Sequence, residues 1–227
     1  MRNLYWFYSG LCHQNPARTL FSGDFYYVVC ARDTGIYVGI VSGIILMLLL
    51  YIPRGKAPTS FPGIFSLILL GLTSIPIVLD AGFSSIGVWL SSNEIRLMTG
   101  LFFGFAFSGF LSLVFFEIFT RFSSFSRLQR VRLFGEWWVL AIYMLMPIAV
   151  WAAILYLIRY FFYISAVSVF ISIWFGNLVL ILALNRNRTR KNAALAACIA
   201  IFSTAAEMTI VASLRLLLSS YLKIALF

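Results

Sequence analysis

Cys12 and His13 stand side by side in the run CHQNPARTLF, and Cys30 and Asp33 stand in the run CARDTGIYVG. Thiolate, imidazole and carboxylate are the donor types that hold zinc and similar divalent transition metals. Cys12, His13, Cys30 and Asp33 therefore form one candidate metal-ligand set. The same residues admit other chemistry. A Cys12–Cys30 disulfide would close a loop of about 18 residues and stabilise it by roughly 3 kcal/mol. A Cys12 thiolate activated by His13 or Arg18 would be a nucleophile. Arg18, Arg32 and Arg96 could together meet a phosphate or carboxylate, with Asn93 beside them, unless Asp33 and Asp80 neutralise them first. These readings stay open together at this level.

The elements that must position these residues are membrane spans. The chain of 227 residues is 62% hydrophobic and only 11% charged, with a mean hydropathy of +0.98. Soluble domains carry about 45–50% apolar and about 25% charged residues. The apolar residues fall into six runs, Gly35–Ile52, Pro62–Leu79, Leu97–Phe119, Trp137–Tyr160, Phe161–Leu184 and Ala193–Leu218. Each is long enough for roughly 30 Å of hydrocarbon at about 1.5 Å per residue. The expected fold is an all-α bundle of six transmembrane helices, residues 35–227, with residues 1–34 as a polar segment on its outer face. No cleavable signal peptide is expected, since the aromatic stretch before Leu11 is short and no small-residue cleavage site follows it.

Charge sets the orientation. Ten of the seventeen Lys and Arg residues lie in the loops after spans one, three and five. They are Arg54 and Lys56; Arg121, Arg127, Arg130 and Arg132; and Arg186, Arg188, Arg190 and Lys191. Short basic loops stay cytoplasmic. Both termini and the loop between spans two and three then face outward, in the cell membrane. The net charge of +10 is read as topology, not as a nucleic-acid surface. This topology brings the Cys/His segment to the same face as Asp80, Asn93 and Arg96. Trp137, Trp138, Tyr160 and Tyr163 sit where interfacial anchors belong, and Gly100, Gly104 and Gly109 make a small-residue row for close helix contact.

Glu207 falls near the middle of span six, where a carboxylate costs about 2.5–3.5 kcal/mol. Asn177, Ser203 and Thr204 are its candidate partners, for an ion relay or for a hydrogen bond between helices. Glu117 and Glu136, near cytoplasmic span ends, are expected to pair with Arg121 or Arg132.

The runs CHQNPARTLF, CARDTGIYVG and SSNEIRLMTGLFFG together resemble the DUF2085 family of predicted prokaryotic membrane proteins, over roughly residues 10–105. The resemblance implies a membrane fold and no particular reaction. Its typical pattern has a further cysteine where this chain has Asp33, and an Asp-Gly pair where this chain has Asp80-Ala81-Gly82. A carboxylate in place of a thiolate keeps an anionic ligand but makes the site harder.

Three function classes follow. The first is a membrane protein whose outward Cys/His/Arg/Asp site binds a divalent metal or a small anionic ligand such as a lipid head group, with transport as an extension. The second is an enzyme acting on a lipid-like substrate, weakened by a single histidine and no paired carboxylates at a useful spacing. The third is an accessory subunit. A transporter would more often show an internal repeat, and none is evident. The sequence sets no oligomeric state.

Overall fold

In the computed structural model the chain is described over residues 2–12, 14–23, 25–121, 127–184 and 190–225. Six helices are long and apolar enough to cross a membrane. A short helix α1 (Arg2–Tyr8) precedes α2 (Ala31–Tyr51), α3 (Ile64–Ser85) and α4 (Asn93–Phe119). Then come α5 (Trp137–Tyr156), α6 (Ile158–Leu184) and α7 (Arg190–Ala225). The protein is an all-α multi-pass membrane bundle.

The most extensive helix contact is between α2 and α4. Glycines make it possible. A Cβ on Gly39 would stand 2.8 Å from the Leu101 carbonyl, and one on Gly35 or Gly100 would strike the other helix's backbone outright. Small residues of this kind let membrane helices approach where no hydrophobic driving force exists between them. Gly35 meets Leu97, Gly39 meets Leu101 and Gly43 meets Ser108, so the two helices run parallel and begin at the same end. Gly109, the third glycine of the expected row, faces Phe134 instead.

Several boundaries differ from those that hydropathy marks. Helix α2 begins at Ala31, so Arg32 and Asp33 occupy its first turn. Hydropathy registers lipid contact, whereas a helix can start in the interface where charges are tolerated. Helix α3 runs past Asp80 to Ser85, because Arg32 meets the Asp80 carboxylate and the charge need not end the helix. The break between α5 and α6 falls at Leu157, ahead of Arg159 and Tyr160.

At the far end of α2, two short strands add a feature that the apolar pattern hides. Strands β1 (Lys56–Ser60) and β2 (Gln129–Arg132) pair in parallel, Lys56 opposite Gln129. Glu136 accepts from Arg54 at 3.0 Å and from Lys56 at 2.5 Å, rather than from Arg121 or Arg132. Those contacts hold the Glu136 carboxyl below its usual range, the Lys56 hydrogen bond being the largest cause. Glu117 pairs with Arg121 at 2.6 Å.

Candidate functional site

The site forms at the end where α2 and α4 begin, and the first layer of it is the N-terminal segment. Gln14 holds that segment closed. Its backbone is in the left-handed region at φ 50°. Its amide donates to the Tyr5 carbonyl at 2.7 Å and to the Val28 carbonyl at 3.0 Å, joining α1 to the stretch before α2. Asn15 caps a single 3-10 turn at Pro16–Arg18 by accepting from the Ala17 N–H at 3.0 Å. Tyr27, almost wholly buried, donates to the Ile158 carbonyl at 2.6 Å. Arg215 of α7 donates to the Cys12 carbonyl at 2.6 Å. Asn93, at the start of α4, donates to the Thr19 carbonyl at 3.2 Å.

This stitching brings Cys12 to Cys30. The Cys30 backbone N–H donates to Cys12 Sγ at 3.3 Å, and Cys30 Sγ donates to Asp33 Oδ2 at 3.1 Å. The two sulfurs and the carboxylate oxygen all lie within 4.8 Å of one another, half-buried. Cys30 precedes α2 and Asp33 sits in its first turn, so one helix start aims both donors at the same point. Both cysteines are free thiols, as is Cys198, which is exposed on α7. His13 lies outside the described residues, as do Arg186 and Arg188.

The thiols behave as a pair. The Cys12 thiol is pulled down to about 7, chiefly by the hydrogen bond from Cys30, which outweighs burial and the Asp33 charge. Cys30 is pushed up, first by that same hydrogen bond, then by burial and by Asp33. One sulfur gives up its proton near neutrality while the other keeps its own. A thiolate close to a helix N-terminus is both a nucleophile and a metal ligand.

A second layer lies beside the first. Arg32, next to Asp33 in sequence, forms an ion pair with Asp80 at the end of α3. Arg96, in the first turn of α4, donates to Ser84 Oγ at 3.3 Å and to Asn93 Oδ1 at 3.4 Å. Arg18 is exposed at the surface of the N-terminal segment. Between α3 and α4 runs a groove of about 310 Å³ lined by Leu79, Phe83, Trp89 and Ile95, with Asp80 and Thr99 at its edge.

The intramembrane residues form a separate group. Asn177 of α6 donates to Thr204 Oγ1 at 3.0 Å and to Glu207 Oε2 at 3.1 Å on α7. Ser203 donates to the Ala200 carbonyl instead. Glu207 lies on the exposed side of α7 and shares no contact with the Cys12 cluster.

The family described as "Predicted membrane protein (DUF2085)" matches residues 12–110. An uncharacterised protein of Methanocaldococcus jannaschii is 35% identical over 116 residues, 51% of this chain and 70% of that relative. The chain belongs to the DUF2085 family of predicted membrane proteins. A second uncharacterised relative, from Methanothermobacter thermautotrophicus, is 31% identical over 91 residues, 40% of this chain and 75% of its own. No solved structure matches. The DUF2085 match begins at Cys12 and ends within α4, so it spans Cys12, Cys30, Asp33, Asp80 and Arg96 but neither Asn177 nor Glu207.

The residue that the sequence reading undervalued is Gln14. Its neighbours Cys12 and His13 carry obvious chemistry, whereas Gln14 acts only by holding two carbonyls. A polar residue forced to positive φ is the signal, and it is invisible without a backbone.

Proposed function

We propose that the protein binds one thiophilic divalent metal ion, of the zinc class, through Cys12, Cys30 and Asp33 on the extracytoplasmic face of the membrane. The observation that carries this reading is the gathering of two sulfurs and a carboxylate oxygen within 4.8 Å of one another. Zinc–sulfur bonds of about 2.3 Å put two tetrahedral sulfur ligands roughly 3.8 Å apart. Only a small contraction separates the present cluster from that geometry. The proton shared between Cys30 and Asp33 is the charge that a metal replaces. Two thiolates and one carboxylate overbalance a divalent ion, and the positive end of α2 offsets the excess. His13 is the natural fourth ligand by its place in the chain; otherwise water takes the position and leaves it open to a substrate.

The outward orientation rests on charge. Arg54, Lys56, Arg121, Arg127, Arg130 and Arg132 stand at the opposite end of α2 and α4 from Cys12 and Cys30, which is the cytoplasmic end by the positive-inside rule.

Cobalt(II) titration of the purified protein tests the metal reading, since cobalt bound by thiolates absorbs through sulfur-to-metal charge transfer. One ion per chain is expected. Cys12→Ser or Cys30→Ser should abolish the band, Asp33→Ala should weaken binding about tenfold or more, and Cys198→Ser should change nothing. The same titration curve in wild type and in the Cys12→Ser, Cys30→Ser double variant would overturn the proposal.

A further inference from the structure

Among the described residues Arg96 has no counter-ion of its own. It is 8% exposed, and among the described residues no carboxylate lies within ion-pair distance of it. Its two contacts, to Ser84 and Asn93, are long hydrogen bonds to neutral oxygens. A buried cation is costly unless an anion meets it. Here the surroundings worsen the cost. The charges of Arg18 and Arg32 also act on this guanidinium, and the nearby Asp80 is already paired with Arg32. Helices α2 and α4 start side by side and parallel, so two positive helix ends converge on the same place.

Asp80 adds a second unmet group. It is 8% exposed, and its Oδ1 is buried with no hydrogen-bond partner. Arg32, whose own Nε is likewise buried with no hydrogen-bond partner, already neutralises its charge, and a neutral donor such as a hydroxyl suits the unmet Oδ1. Asp80 also borders the groove between α3 and α4, whose wall is otherwise apolar apart from Thr99, with Leu79, Phe83, Trp89 and Ile95 as its large side chains. All four of those side chains are exposed in the bundle.

We propose that this end of the α3–α4 groove binds a lipid with a hydroxylated phosphate head group. The phosphate meets Arg96, with Arg18 at the rim. A head-group hydroxyl donates to Asp80 Oδ1. An acyl or isoprenoid chain lies along Leu79, Phe83 and Ile95. The site is independent of the metal ion: none of these side chains is a proposed metal ligand, so Cys12→Ser should leave lipid binding intact.

Displacement of fluorescent phosphatidylglycerol from the full-length protein in neutral detergent micelles tests this. Phosphatidylcholine, phosphatidic acid and inorganic phosphate serve as competitors. Phosphatidylglycerol should bind at least tenfold tighter than phosphatidylcholine, with phosphatidic acid in between. Inorganic phosphate in hundredfold excess should displace little. Arg96→Gln should bring phosphatidylglycerol down to the phosphatidylcholine level. Ile95→Trp, on the exposed groove wall, should weaken the lipid about fivefold with an unchanged melting temperature, and so reads the site even if Arg96→Gln fails to fold. Undiminished phosphatidylglycerol binding in Ile95→Trp and in folded Arg96→Gln would overturn the proposal. Displacement by inorganic phosphate at concentrations comparable to the lipid would overturn the amphiphile and leave a free-phosphate site. Phosphatidic acid binding as tightly as phosphatidylglycerol would overturn the contact at Asp80.

Discussion

Cys12 and Cys30 have the same side chain and opposite proton affinities, and the difference comes from who donates to whom. Cys12 receives hydrogen bonds from Cys30, and Cys30 faces the Asp33 carboxylate. In metal-free protein with Cys198→Ser, iodoacetamide should therefore modify Cys12 with a half-maximal rate near pH 7, against about 9 for an ordinary thiol. Lowering the pH below 7 should slow the reaction, because the thiolate is the nucleophile. Cys30 should remain slow throughout. A single shared midpoint near 9 would show that the two thiols do not interact. Asp33 supports a second prediction at this scale. Asp33→Cys replaces a hard oxygen with a soft sulfur. Cadmium affinity should rise about tenfold or more, measured by competition against a chelator; an unchanged value would mean that position 33 does not touch the metal. The residue types of the site were legible from the chain. Their grouping was not, since Gln14 does the joining through two backbone carbonyls that no residue pattern records.

At the scale of the helix, the site depends on how closely α2 and α4 approach. Their starts carry Asp33, Arg32 and Arg96, so any separation spreads the donors. Gly39→Ala would place a methyl group 2.8 Å from the Leu101 carbonyl, an overpacking that typically costs about 1–3 kcal/mol. Gly71→Ala on α3 meets nothing within 4 Å and should be neutral or slightly stabilising. Thermal unfolding in detergent separates the two; equal melting temperatures would mean that the α2–α4 contact is looser than described. The glycine row was visible in the sequence at Gly100 and Gly104, but its partner row at Gly35, Gly39 and Gly43 reads as part of an ordinary apolar run. Helix ends were the least legible elements. Charges at Arg32 and Asp80 look like stop signals in hydropathy, yet they pair with each other and let both helices continue. The β1–β2 pair was invisible because its strands come from two short polar loops far apart in sequence.

For the whole molecule, the six spans followed directly from length and hydropathy, and those six apolar helices are present. The two halves carry different loads. Helices α2 to α4 hold the polar site and the family match, while α5 to α7 pack around them and carry the Asn177–Glu207 contact. The proposed orientation rests on where the basic residues stand. With Cys198→Ser, a membrane-impermeant maleimide added to intact cells should label Cys12, and a cysteine placed by Arg130→Cys should stay unlabelled until the membrane is opened. The reverse pattern would invert the topology and put the site in the cytoplasm. The molecule's central feature remains the meeting of two sulfurs and a carboxylate at one helix start. X-ray absorption at the zinc edge of the zinc-loaded protein addresses it most directly: two sulfur scatterers at about 2.3 Å, with nitrogen or oxygen neighbours at about 2.0–2.2 Å, are expected. A zinc shell of nitrogen and oxygen alone would contradict the account.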